Sequence, residues 1–240
     1  MQKWQDAYGQ HFYHYLKTKT GFEIVERDDE YIDIAPIQGY FAEYKDWPNH
    51  VKQGMKYVRG KVLDIGCGAG RHSLYLQKKG FDVLGTDISP MAIKVCKLRG
   101  LKKTKVVSID KLSSNLGIFD TILMQGNNFG LFGSFKRARR LLKKLYRMTS
   151  DTARIIAETN DVYQTTDPDH LGYQNYNRKR GRMPGQIRLR IRYKKYCTSW
   201  IDYLMVSKKE LNQILIGTGW KLSRTIDSKG SQYIAILAKE

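Results

Sequence analysis

From residue 61 onward, short apolar runs alternate with longer polar stretches in which apolar residues recur at helical spacing. Val62, Leu63 and Ile65 make the first run, the pattern of a strand buried on both faces of a parallel sheet. Residues 71–79 follow, with Leu74, Tyr75 and Leu76 in a polar frame that predicts a helix. Residues 81–87, 105–109, 119–124 and 153–159 predict four more strands. The charged segments between them, one from Lys94 to Lys105 and one from Lys136 to Arg147, each surround a predicted helix. Residues 207–216 predict a helix with Ser207 as N-cap and Glu210 completing a capping box. Residues 220–226 and 232–238 predict two final strands joined by the hairpin turn Asp227-Ser228-Lys229-Gly230.

The flanking segments break that alternation. Residues 1–20 predict a helix whose aromatics Trp4, Tyr8, Phe12 and Tyr15 form one stripe. Residues 21–47 show no clear period, and Pro48 opens a helix reaching to about residue 58. Residues 161–206 are longer than a normal connection. Within them Ile187, Leu189, Ile191 and Tyr193 alternate with Arg188, Arg190, Arg192 and Lys194, a strand with one apolar and one cationic face. Residues 200–206 are expected to pair with it as a hairpin lid. The expected division is a helical cap over 1–60 and a main domain over 61–240, with 161–206 inserted as the lid.

Composition narrows the class. A chain of 240 residues with 41% hydrophobic content buries a full core. No apolar run reaches membrane-span length, and the first residues lack the apolar centre of a signal peptide. Cys67, Cys96 and Cys197 have no metal-ligand spacing and suggest no disulfide framework, so a reducing cytoplasm, no membrane and no metal are the expectations. The net charge of +19 has two readings, a solvated coat on the helices or attraction to an anionic partner such as RNA.

The candidate chemistry begins where the first strand ends. Gly66, Gly68 and Gly70 alternate at once after it, with Cys67 between the first two and Asp64 two residues ahead. Strand, bare-backbone turn and helix make a place where a ligand lies against the main chain. The spacing is G-x-G-x-G. The dinucleotide fingerprint needs a small residue five positions after the first glycine, and Arg71 stands there. The second strand ends in Asp87, whose carboxylate can accept from both hydroxyls of a ribose.

These residues resemble the first two motifs of the class I S-adenosylmethionine (SAM) dependent methyltransferases. The resemblance covers residues 61–160 and 207–240, and 1–60 only loosely. It implies a doubly wound α/β fold with a seven-stranded, mostly parallel Rossmann-like sheet in the order 3-2-1-4-5-7-6 and an antiparallel last strand. It implies SAM as cofactor, held by Asp64, Gly66, Cys67, Gly68, Gly70, Asp87, Ile88, Asp110, Gln125 and Asn127, with Asp110 at the adenine. An N-terminal helix in that family often closes over the cofactor, which makes Tyr8, His11 and His14 further candidates.

Transfer from a sulfonium asks mainly for alignment and exclusion of water. Asn127 and Asn128, in the turn after the fourth strand, are the candidates for orienting an amine; a tight Asn-Gly turn without function is the equal alternative. A hydroxyl acceptor needs a base, and His11, His14, His72 and His170 are the histidines near site segments. No cysteine follows a proline, against carbon-5 pyrimidine chemistry, and Asn127-Asn128-Phe129 lacks the two prolines of the exocyclic-amine motif. Arg188, Arg190 and Arg192 offer forked donors to an anionic substrate. The expected activity is methyl transfer to nitrogen or oxygen of a small or medium-sized acceptor, an anion among the readings. The alternatives are a tRNA or rRNA acceptor and a non-catalytic SAM- or RNA-binding module; an aminopropyl transferase ranks below them.

Overall fold

The computed structural model of the chain describes residues 2–240. The elements begin with α1 (Ala7–Thr18), β1 (Phe22–Arg27), β2 (Ile32–Pro36), α2 (Asn49–Met55) and β3 (Val62–Ile65). Next come α3 (Arg71–Lys78), β4 (Val83–Asp87), α4 (Pro90–Leu98), β5 (Lys103–Val106) and β6 (Phe119–Met124). Then follow α5 (Phe135–Tyr146), β7 (Thr149–Asn160), α6 (Pro168–Lys179), β8 (Gln186–Tyr193) and β9 (Tyr196–Cys197). The chain ends with β10 (Ile201–Leu204), α7 (Lys208–Leu215), β11 (Trp220–Asp227) and β12 (Gln232–Lys239). Among the described residues no helix is long and apolar enough to cross a membrane.

Seven strands form one sheet in the order β5-β4-β3-β6-β7-β12-β11. The β3–β4, β4–β5 and β6–β7 pairs are parallel, while β12 runs antiparallel to both β7 and β11. Counted within the sheet this is the expected 3-2-1-4-5-7-6. A second sheet has the order β10-β8-β1-β2, with β9 added to β8.

The chain divides into two compact units. The first takes residues up to Trp47, Val62–Leu112 and Arg188–Ile201. Its β3 is buried at all four positions, which explains the unbroken apolar run seen around Asp64. Phe12, Ile37, Ala69, Ala92 and Val95 form one of its cores, so the aromatic stripe of α1 packs beside α4 as an amphipathic helix should. Asp6 joins these two helices at their starts. It caps α1 by accepting from Gly9 N at 3.1 Å, and accepts from Ser89 Oγ at 2.5 Å and Met91 N at 3.1 Å at the start of α4. A Cβ at Gly9 would collide with the Ser89 hydroxyl and approach Asp6 Oδ1 to 2.5 Å, so the close approach needs glycine there.

The second unit takes Pro48–Lys61, Ser113–Ile187 and Asp202–Glu240. Helix α5 starts at the Ser134 N-cap and buries Ala138, Leu141, Leu142 and Leu145, leaving its lysines and arginines on the other face. Helix α7 has the capping box foreseen at Ser207 and Glu210. Phe119, Ile122 and Leu123 on β6 and Ile155 and Ile156 on β7 are fully buried. Each such side chain contributes about 1.5–3 kcal/mol of burial.

Three expectations need correction. Residues 1–60 are only partly helical, because 22–36 form the β1–β2 hairpin around a turn at which Glu30 takes φ 69°. The segment 161–206 is more than a hairpin: α6 precedes β8, and Asp167 caps that helix. Strand β5 ends at Val106, where Val107 N donates to Asp87 O at 2.9 Å and the chain turns; Asp110 therefore stands exposed in a 3-10 turn past the strand.

Candidate functional site

The loop after β3 has an almost complete account of its backbone hydrogen bonds. Gly66 N and Cys67 N donate to Thr86 O at 2.8 and 2.9 Å, and Gly70 N donates to Cys67 O at 2.8 Å. Gly68 N donates to Asp87 Oδ2 at 3.0 Å, and Gly68 O accepts from the Cys96 thiol at 3.2 Å. Arg99 Nη1 donates to Ala69 O at 2.6 Å. Gly66, Gly68 and Gly70 all lie at positive φ (73°, 55° and 83°), the left-handed region that explains why all three are glycine. At Gly68 a Cβ would meet Phe12 and Tyr40 only at ordinary contact distance, 3.5 Å or more, so conformation and not space restricts this position.

Asp87 ends β4 and holds two backbone N–H groups, Gly68 through Oδ2 and Ser89 through Oδ1 at 2.9 Å. Burial raises its proton affinity above the ordinary carboxylate range. Its remaining lone pairs suit neutral hydroxyl donors. Next to it Ile88 is half exposed, an apolar face beside a polar anchor. Asp64 is buried beneath the loop, and Ser73 Oγ donates to its Oδ2 at 2.6 Å, tying α3 to β3. Burial lifts its pKa to about 6, with the neighbouring Asp87 charge adding to the shift. Cys67 and Cys96 face each other at 3.8 Å; that hydrogen bond and burial push the Cys67 thiol well up, leaving it protonated and inert.

The arrangement fits SAM. It offers left-handed glycine backbone, a carboxylate at the end of β4 held by two backbone N–H groups, and an exposed apolar side chain next in sequence. Residues 62–152 match a family described as a methyltransferase domain. The chain carries a class I, SAM-dependent methyltransferase domain. Over its whole length the chain is similar to a SAM-dependent methyltransferase from Bacteroides fragilis, crystallised in complex with S-adenosyl-L-homocysteine. The two share 25% identity and a TM-score of 0.85, over 100% of this chain and 97% of that one. A human ATP synthase lysine N-methyltransferase is 31% identical over 130 residues, 54% of each chain. A tRNA (uracil(54)-C(5))-methyltransferase of Pyrococcus horikoshii is 32% identical over 130 residues, 52% of this chain and 30% of that enzyme. The chain thus spans about half the length, or less, of these curated relatives.

The turn after β6 belongs to the other unit. Glu158, near the end of β7, accepts from Gly126 N at 2.6 Å through Oε2 and contacts His50 Nε2 at 3.2 Å through Oε1. Asn127 adopts φ 62°, and its backbone carbonyl accepts from the Tyr203 hydroxyl. Burial raises the Tyr203 pKa, so this phenol stays a donor. Gln125 Nε2 donates to Ile156 O at 3.2 Å, but Gln125 Oε1 and Asn127 Oδ1 are buried without any hydrogen-bond partner. Asn128 begins the short 3-10 helix that carries Phe129 and Phe132 into the core. Glu158, His50 and Tyr203 escaped the sequence reading, since β7, α2 and β10, which carry them, come together at this turn only in the fold.

The remaining candidates are placed as follows. Arg190 binds Glu26 through Nε at 2.8 Å and through Nη2, and Arg192 Nε reaches Glu26 at 2.5 Å. These bonds hold the Glu26 carboxyl at about 2, so two of the three guanidinium groups are engaged within the sheet. Arg188 lies on the same strand. His11 is fully buried, stacked on Tyr193 with ring centroids 4.2 Å apart, and neither of its ring nitrogens has a hydrogen-bond partner; Glu23 Oε2 is 3.7 Å away. His14 pairs with the Tyr193 hydroxyl at 2.6 Å. His72 packs edge-on against Trp47, and burial drives its pKa well down, so it stays neutral. His170 sits within α6 near Asp167.

Proposed function

We propose that this chain binds SAM and transfers its methyl group to a nitrogen or oxygen of a small or medium-sized acceptor. The observation that carries the reading is the loop of three left-handed glycines gripped by the Asp87 carboxylate. Gly66, Cys67, Gly68 and Gly70 would lie along the methionine and ribose parts, Asp87 would accept from the ribose hydroxyls, and Ile88 and Asp110 would serve the adenine. Asp64 would act from below, by fixing α3 to the loop through Ser73. SAM supplies a methyl group on a cationic sulfur, a good leaving group. The chain's own task is alignment and exclusion of water.

Arg188, Arg190 and Arg192 remain a proposed anion-binding row, in which a substrate anion would compete with Glu26 for two of them. A tRNA or rRNA acceptor is the second reading, favoured by the net charge of +19 and the exposed run Arg178, Lys179 and Arg180 on α6 and its cap. Its mark is RNA affinity that falls steeply with salt.

The test is calorimetry with S-adenosylhomocysteine (SAH) on the wild type and Asp87→Ala. We expect binding to weaken at least about 100-fold in the variant, since hydrogen bonds to a charged group contribute about 1.5–3 kcal/mol each. Equal affinity in the two proteins would discard the ribose assignment.

A further inference from the structure

Helix α5 carries cations of two kinds. Arg137 and Arg139 turn back to the chain: Arg137 Nη1 donates to Leu131 O at 2.6 Å, and Arg139 Nη1 donates to Ile214 O at 3.3 Å in the last turn of α7. Lys136, Arg140, Lys143 and Arg147 are exposed. At about 100° per residue these four fall within an arc of about 60°, opposite the buried Ala138, Leu141, Leu142 and Leu145. They make one straight cationic row about 16 Å long, with a charge at each turn.

Nothing in the folding of α5 asks for this row. The helix contains no acid, and Lys136 and Arg137 stand in its first turn, where the helix dipole disfavours positive charge. Helices α6 and α7 of the same unit place Asp169 and Glu210 in that turn. Lys136 with Arg140, Arg140 with Lys144, and Lys143 with Arg147 are like-charge pairs four residues apart, each of them destabilising. Glutamine would form the helix as readily. A sequence that bears these local costs points to a gain outside the helix.

The form of the row selects the partner. A helix that docks on membranes sets leucines beside its cations, but Leu141, Leu142 and Leu145 are at most 1% exposed. Evenly spaced cations match an evenly charged polymer, which a phosphodiester backbone is. We propose that the outer face of α5 is a docking surface for RNA, which it holds by phosphates without reading sequence. The inference rests on RNA being the anionic partner of this chain, and it holds whichever atom takes the methyl group.

The test is fluorescence anisotropy with a labelled single-stranded RNA of about 20 nucleotides, at salt concentrations between about 50 and 200 mM. Two charge-matched variants are compared with the wild type. One carries Lys136→Gln, Arg140→Gln, Lys143→Gln and Arg147→Gln. The other carries Lys94→Gln, Lys97→Gln, Lys102→Gln and Lys105→Gln, at positions that are exposed too. The α5 variant is expected to bind RNA at least about tenfold more weakly. Its slope of log affinity against log salt should shrink by about 3, at about 0.7 per phosphate lost. The other variant should change affinity less than about threefold. Lys143→Gln with Arg147→Gln is the milder second variant and should remove about half of that slope loss. Thermal melts matching the wild type confirm that each variant is folded. Equal losses in the two charge-matched variants overturn the proposal, because net charge alone would then act. So does wild-type binding to polyglutamate or to phosphatidylglycerol vesicles as tight as to RNA. RNA binding that the α5 variant leaves intact removes this surface and keeps RNA as a partner, whereas no RNA binding at any salt ends both.

Discussion

The loop after β3 and the turn after β6 are built alike and differ in what they leave open. In each, a carboxylate at or near the end of the adjacent parallel strand grips a backbone N–H: Asp87 holds Gly68, and Glu158 holds Gly126. In each, left-handed residues make the turn. The first uses its glycines to expose main chain and satisfies nearly all of its polar groups internally. The second places side-chain amides in the turn and leaves two of their oxygens without donors. The first is a closed hydrogen-bonded floor, whereas the second keeps two buried acceptors unpaired.

The largest test of that contrast compares the two gripping carboxylates. Glu158→Ala leaves His50 and Gly126 N without their buried partner and should cost about 3–5 kcal/mol of unfolding free energy. Asp87→Ala removes a carboxylate that burial already disfavours, and should cost only about 1 kcal/mol while abolishing tight SAH binding. Urea denaturation of both variants decides it, and similar losses would make the two grips equivalent.

Next in size is the pH dependence of the acid beneath the first loop. The pKa of Asp64 is lifted to about 6 in the folded protein. The folded chain therefore binds its proton more tightly than the unfolded chain. Stability from this group is full below about pH 4 and declines as pH rises through 6, by about 3 kcal/mol in all. Asp64→Asn should remove that decline; Asp87 adds a slope of the same sign, while His72, whose pKa burial lowers, adds one of the opposite sign. A variant whose urea midpoint still falls as steeply between pH 4 and 7 would remove Asp64 as its source.

The smallest effect concerns the helix that follows the first grip. Asp6→Asn keeps acceptors at the starts of α1 and α4 but loses the charge and one acceptor site, and should lower stability by about 1 kcal/mol. Asp6→Ala should roughly double that loss, and a thermal-melt series of the two reports the difference.

Legibility in the sequence followed the range of the contacts. The glycine loop was readable because its conformation is set within a few residues, and Asp87 because strand length fixes its distance from the loop. The sheet order was readable from family resemblance, with the closing hairpin as its sign. The grip of Glu158 was not, since its partners lie 108 and 32 residues away in sequence. Arg190 and Arg192 displayed their alternation plainly, yet Glu26, which engages them, is 164 and 166 residues away. The hairpin of 22–36 was hidden because its exposed isoleucines, Ile32 and Ile34, blur the inside-outside pattern. No sequence signal distinguishes an amide oxygen that finds a donor from one that does not.

Asp6 has a practical consequence for anyone trimming or tagging this protein. Because a single carboxylate starts both α1 and α4, removing the first few residues would loosen a helix about 85 positions further along. That helix begins just after Asp87, so a shortened form should dock SAH more weakly although every loop residue is intact. Expression vectors that cut into this end would mimic an active-site lesion.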